Sequence, residues 1–150
     1  MIQTGLGIVL GNPNAKNKIV KVCNPYCGPC ATAHPLIDEI IDQYEDVQVQ
    51  MIFMFTHEAI VKHLVAIYKK DNTLIRQALD DWYNAPIKVY ETFAAKYPLN
   101  GELQQQKEGM EAMYKWTKDI EIAFTPTFFI NGHQLPELYS ISDIKNILAN

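Results

Sequence analysis

Ile19-Val20-Lys21-Val22-Cys23-Asn24-Pro25-Tyr26-Cys27-Gly28-Pro29-Cys30 joins an apolar, β-branched run to two cysteines separated by two residues. The residues that follow place Leu36, Ile37, Ile40, Ile41 and Tyr44 on one helical stripe. The stretch reads as a strand over 19–24 that delivers Cys27 to the start of a helix over about 28–44. Alternation puts Ile19, Lys21 and Cys23 on one strand face and Val20 and Val22 on the other. The first N–H groups of a helix lack intrahelical partners, and its dipole favours negative charge there. A thiol placed at that point ionises more readily. Cys30 lies three positions on, close enough to attack a mixed disulfide formed by Cys27. The implied chemistry is thiol–disulfide exchange, with Cys27 as nucleophile and Cys30 resolving.

Composition sets the bounds. The chain of 150 residues is 48% hydrophobic and 20% charged, as expected of one globular domain with a core of its own. A formal charge of −4 argues against nucleic acid or an anionic membrane as the main partner. No apolar run reaches the roughly 18 residues of a spanning helix. Met1 to Gly5 lacks the charged-then-apolar pattern of a signal peptide, which fits a cytoplasmic protein or a mature or excised extracytoplasmic domain. The 3 cysteines all fall within Cys23–Cys30, so they serve a site rather than a framework of distant staples.

Outward from that stretch, Gly7 to Leu10 predicts a first strand, followed by a Gly11-Asn12-Pro13-Asn14 turn. Pro35 falls inside the first helix and predicts a kink. Val47 to Phe55 predicts a strand covered on both faces. The pattern then turns helical. Ile60, Leu64, Ile67 and Tyr68 share one face; Leu74, Ile75, Ala78, Leu79 and Trp82 share another, with Asn72 as its N-cap. Pro86 suits the first turn of a third helix carrying Tyr90, Phe93 and Tyr97, and a fourth spans about 102–119. Phe128 to Ile130 restores the strand pattern, and Asn131-Gly132 predicts a hairpin to a strand near His133–Leu135. A last helix covers Ile141 to Ala149, with Ser140 or Ser142 as cap. The layout is α/β, with a central mixed sheet.

Two segments carry a family resemblance. Cys27-Gly28-Pro29-Cys30 with Pro35-Leu36-Ile37-Asp38-Glu39-Ile40 resembles the active-site helix of thioredoxin. Phe124-Thr125-Pro126-Thr127-Phe128-Phe129-Ile130-Asn131-Gly132 is similar to that family's cis-proline strand and hairpin. The helical stretch at about 57–119 and the turn at 11–15 resemble the bacterial disulfide-oxidoreductase branch, whose members mostly work outside the cytoplasm. The resemblance implies a thioredoxin fold, a central mixed sheet flanked by helices, with a helical insertion. It also implies a cis Pro126 facing the disulfide and a Thr125 backbone that pairs with bound substrate. Gly28 and Pro29 would border the same contact, and Tyr26, beside the nucleophile, would be partly exposed to a substrate chain. No cofactor is implied beyond the redox-active pair Cys27–Cys30. Partners would be protein thiols or disulfides, with a membrane redox partner, fused or separate, as in domains joined to vitamin K epoxide reductase-type proteins.

The direction of exchange stays open. Gly28-Pro29 is the dipeptide of thioredoxin, a reductant, whereas the insertion resembles a branch that contains oxidants. Lys21 stands six positions before Cys27, where the family usually places a buried acid. A cation there either steadies the Cys27 thiolate or snorkels to solvent. Cys23 reads as a small buried strand residue that modulates the site. It also makes Cys23-x3-Cys27-x2-Cys30, the ligand spacing of an iron–sulfur site, an alternative that the absence of a glycine-rich cofactor segment disfavours. A binding or chaperone module with an idle disulfide is the remaining alternative. His34, seven residues after Cys27, either tunes it or lies at the surface or kink; His57, His63 and His133 have no metal-ligand spacing. Trp82, Trp116, Met110 and Met113 read as core of the insertion.

Overall fold

The strand–helix–strand unit around the two cysteines forms the middle of the molecule. In the computed structural model, which describes residues 5–54, 59–136 and 141–148, the elements run β1 (Ile8–Gly11), β2 (Asn17–Cys23), α1 (Gly28–Gln43), β3 (Val47–Phe53), α2 (Ala59–Lys70), α3 (Ile75–Asn84), α4 (Tyr90–Lys96), a 3₁₀ turn (Glu102–Gln106), α5 (Lys107–Asp119), β4 (Thr127–Ile130), β5 (His133–Gln134) and α6 (Ile141–Leu148). The sheet order is β1-β3-β2-β4-β5. β2 and β3 pair in parallel, joined through α1, and the other three pairings are antiparallel. This is the α/β mixed sheet expected, a thioredoxin fold with helices α2 to α5 inserted between β3 and β4.

Apolar patterning explains the layers. From Ile19 to Cys23, and from Val49 to Phe53, every residue is buried, because helices cover both faces of the two central strands. The edge strand β1 is preceded by a glycine for a steric reason. Gly7 has φ +67° and a Cβ there would lie 2.0 Å from the Met51 carbonyl oxygen, so no other residue fits beside β3. At the opposite edge, Asn131 and Gly132 both take positive φ, 50° and 88°, which the tight β4–β5 turn demands.

α1 holds Pro35 inside it, as expected, and ends at Gln43 with Tyr44 as its cap. Several local expectations change. Asn72 does not cap α3, whose cap position is Leu74. The turn before it is organised instead by Asp71, whose carboxylate accepts from the Thr73 N–H at 3.0 Å and hydroxyl at 2.6 Å. Pro86 lies outside α4, which begins only at Tyr90. The Lys88 ammonium donates to the carbonyls of Tyr83 (3.1 Å) and Ala85 (3.0 Å), closing α3 and keeping 85–89 irregular. The fourth helix starts as a 3₁₀ turn after Gly101, at φ 93°. Ser142 sits inside α6 rather than capping it. Met1, Phe55, His57, Ser140 and Ala149 lie outside the described residues.

Candidate active site

Asn24-Pro25-Tyr26 forms the turn that presents Cys27. The Asn24 side chain accepts from the Tyr26 N–H at 2.9 Å and its carbonyl accepts from the Cys27 N–H at 3.1 Å, an Asx turn that ends the strand and starts the helix. Cys27 is the N-cap residue, extended at φ −83° and ψ 126°, with Gly28 and Pro29 in the first helical turn. Proline costs nothing there, since its missing N–H would be unpaired anyway. Tyr26 is 47% exposed, and the Trp82 indole beneath it donates to the Pro25 carbonyl at 2.7 Å. Trp82 is therefore more than insertion core: it anchors the cysteine turn to α3.

Cys27 and Cys30 have opposite surroundings. Cys27 is partly exposed, Cys30 fully buried, and all three cysteines are free. Partial burial of the Cys27 sulfur opposes ionisation. It is outweighed by the Thr125 hydroxyl, which donates at 3.5 Å, by the Cys30 backbone N–H and thiol, and by the charge of Lys21, so the thiol pKa falls below its ordinary value. For Cys30, burial dominates and the neighbouring Cys23 adds to it, pushing the pKa up to about 12 against the pull of the Asn24 N–H. Burial likewise raises Cys23, whose Sγ lies against the carbonyls of Lys21 (3.9 Å) and Ile52 (3.7 Å) inside the sheet. Cys23 is the buried strand residue expected, and its sulfur is taken up by the Lys21 and Ile52 carbonyls and the Tyr83 hydroxyl.

Across from Cys27 stands the loop before β4. The Thr125–Pro126 bond is cis. The Cys27 Sγ lies 3.6 Å from the Thr125 carbonyl oxygen, so the loop and the helix start meet at the sulfur. Lys21 does not snorkel. It is wholly buried, its ammonium donates to the Cys30 carbonyl at 3.1 Å and sits 5.0 Å from the centre of the Tyr83 ring. The reason is its position on the central strand β2, between β3 and β4, which carries the side chain under α1 and α3, where the Cys30 carbonyl and the Tyr83 ring cover it.

A polar cluster behind α1 was not anticipated. His34 is fully buried rather than at the surface. Its Nε2 is 2.7 Å from Asp80 and 3.6 Å from Asp38, its ring lies 5.1 Å from that of Tyr83, and its Nδ1 has no partner. Burial and the Lys21 charge push the His34 pKa down, while burial and the bond to Asp80 push Asp38 up. Arg76 binds both Asp38 (3.1 Å) and Asp42 (2.9 Å) across the α1–α3 contact. The i,i+4 spacing of His34 and Asp38 was visible in the chain; Asp80 and Tyr83, brought in by α3, were not.

A Cys-x-x-Cys pair at a helix start, facing a cis-proline loop on a thioredoxin fold, defines a thiol–disulfide oxidoreductase. The chain belongs to the thioredoxin family: the family model described as thioredoxin matches residues 3–150. No curated protein sequence matches it. Among solved structures it is similar to the catalytic domain of Proteus mirabilis ScsC, at 18% identity and TM-score 0.76, covering 95% of this chain and 86% of that one. Oxidised BdbD from Bacillus subtilis aligns at 14% identity and TM-score 0.77, over 95% and 91% of the two chains. A periplasmic thioredoxin-like protein from Salmonella enterica serovar Typhimurium aligns at 13% and 0.79, over 95% and 87%.

Proposed function

We propose that the protein exchanges disulfides with protein substrates through Cys27 and Cys30. The observation that carries this reading is the asymmetry of the pair: a partly exposed thiol with a lowered pKa beside a buried one raised to about 12. The Cys27 thiolate attacks a substrate disulfide, forming a Cys27–substrate mixed disulfide and releasing one substrate thiolate. Cys30 then loses its proton and attacks the Cys27 sulfur, closing the internal disulfide and releasing the second substrate thiolate. Run backwards, the same steps oxidise a substrate dithiol. The high pKa of Cys30 protects the mixed intermediate from premature resolution and makes deprotonation of Cys30 the controlled step.

Thr125 offers its backbone to an extended substrate segment, with Pro126 shaping the loop, and Tyr26, Gly28 and Pro29 border that contact. Support comes from the 3.6 Å approach of Cys27 Sγ to the Thr125 carbonyl and from the exposure of Tyr26. The redox group is the Cys27–Cys30 pair. We place the protein outside the cytoplasm, working with a membrane redox partner, fused or separate; the periplasmic Salmonella structure supports the location. Residues 1–150 read as one domain, because a single apolar cluster joins the sheet to the insertion through Phe53, Leu64, Trp82 and Met113.

The test is Cys30→Ser, which should accumulate substrate mixed disulfides resolved by reducing electrophoresis. Cys27→Ser should trap none. Equal trapping by both variants, or by neither, contradicts the assignment and favours a binding module.

A further inference from the structure

Four ionisable side chains lie sealed behind the exchange centre: Lys21, Cys23, His34 and Tyr83, each no more than 3% exposed. Lys21 is the one whose ordinary form is charged. A buried ammonium without an opposite charge is costly to desolvate, so where its counter-charge resides matters. Among the described residues no carboxylate pairs with Lys21. It is held by the Cys30 carbonyl at 3.1 Å and by the face of the Tyr83 ring. The groups that face it are His34 on α1, Tyr83 on α3, Cys23 on β2 and the two cysteines of the centre; Met51 and Phe128 flank it on β3 and β4. Tyr83 stays neutral, since burial raises its hydroxyl, and His34 is pushed toward its neutral form. Cys23 and Cys30 are both raised. Of these groups, Cys27 alone is shifted toward its anion, and the Cys30 carbonyl that holds the ammonium lies in the same first turn of α1.

We propose that Lys21 is a positioning residue that poises the exchange centre: its ammonium is the counter-ion of the reduced pair and loses its anion when Cys27 and Cys30 join. This rests on the exchange reading above and adds to it what stands in for the buried acid of related proteins. The balance is explicit. The disulfide and two substrate thiols give a Cys27 thiolate, a Cys30 thiol, a substrate disulfide and one released proton; two electrons pass to the protein. The lysine neither gains nor loses a proton in this step. It lowers the free energy of the product side only, because a disulfide carries no charge for it to attract. The fixed cation therefore shifts the centre toward holding its dithiol form and donating its disulfide.

The decisive variant is Lys21→Gln, which keeps a donor for the Cys30 carbonyl and removes the charge, alongside Lys21→Met, which removes both. Each is equilibrated with glutathione, and the Cys27 thiol is titrated by the pH dependence of alkylation. Both variants should hold the disulfide at least tenfold more strongly, about 30 mV more reducing, and should ionise Cys27 at higher pH. Lys21→Arg, which restores the charge, should return both readings toward the unaltered protein. A Lys21→Gln protein with unchanged potential and titration overturns the proposal, since a purely structural lysine would leave both readings where they were. In the unaltered protein, the alkylation midpoint of Cys27 should lie below the ordinary thiol value of about 8.5, and a midpoint at or above it also overturns the proposal. That last measurement requires no variant to fold. If the unaltered protein does not equilibrate with glutathione at all, the exchange reading itself falls, independently of Lys21.

Discussion

Replacing Trp82 by Phe separates the scaffold of the cysteine turn from its chemistry. The indole N–H donates at 2.7 Å to the Pro25 carbonyl, two residues before Cys27, and the ring is 1% exposed, packed edge-on against Tyr26 and Phe93. A phenyl ring cannot donate, so the buried carbonyl is left unpaired at a cost of about 1–3 kcal/mol. The lost ring volume, a few tens of Å³, adds about 1 kcal/mol at roughly 24 cal/mol per Å³ of cavity. Together these amount to about 2–4 kcal/mol, a fall in melting temperature on the order of 10 °C for a chain of this size. Thermal unfolding of the reduced protein reads this directly. Phe93→Leu is the control, because it disturbs the same aromatic cluster without touching the turn. Both variants should melt earlier, but only Trp82→Phe should alter the rate at which iodoacetamide alkylates Cys27. A melting temperature within about 2 °C of the unaltered protein would refute the idea that this bond holds the turn. Equal alkylation rates in the two variants would refute its link to the thiol.

Thr125→Val removes the hydroxyl that donates to the Cys27 sulfur at 3.5 Å while keeping the side chain's shape. Cys27 should then ionise at higher pH, and its alkylation at neutral pH should slow several-fold. Asp38→Asn tests the pairing of the buried His34 with the half-buried Asp38. His34, lowered, makes the unfolded chain bind the extra proton between about pH 4 and 6.5, so its contribution to stability rises with pH there; Asp38, raised, makes the folded chain bind it between about pH 4 and 6, so its contribution falls. The two oppose, and the unaltered protein's stability should be nearly flat across that window. With Asp38→Asn the histidine acts alone, and denaturant midpoints should fall as pH drops from 6.5 toward 4, by at most about 1.4 kcal/mol per pH unit.

The parts of the fold that sequence made legible are local ones. Strand, turn, cysteine pair and helix follow one another within Asn17 to Gln43, and each is marked by its own residues. The β4–β5 turn was equally plain, since Asn-Gly supplies both positive φ values. Lys21 was not legible, because a charged residue in a strand is placed by what covers the strand, and that cover comes from distant segments. His34 is a different case. The buried face of α1 comprises Cys30, Ala33, His34, Ile37 and Ile40, a continuous helical stripe. Counting only the large apolar residues began that stripe at Leu36 and left Ala33 and the histidine outside it. Pro86 misled for a third reason: a proline suits the first turn of a helix and an irregular turn alike, and the Lys88 ammonium capping α3 decided between them.

The inserted helices also bear on what kind of site this is. Arg76, Asp80 and Tyr83 recur on α3 at the spacing of one helical face, and that face meets α1 and the end of β2: Arg76 at Asp38 and Asp42, Asp80 at His34, Tyr83 at the His34 ring, the Lys21 ammonium and the Asn24 carbonyl at 3.4 Å. Trp82, from the same helix, reaches the turn before Cys27. Thus α3 builds the rear wall of the exchange centre and supplies the ring over which the buried cation sits. Without it, Lys21 would face solvent and its charge would be screened to a small effect on the sulfurs. If Lys21 poises the centre as proposed, the insertion and the lysine act as one device, because burial by α3 keeps the charge on β2 from being screened before it reaches Cys27.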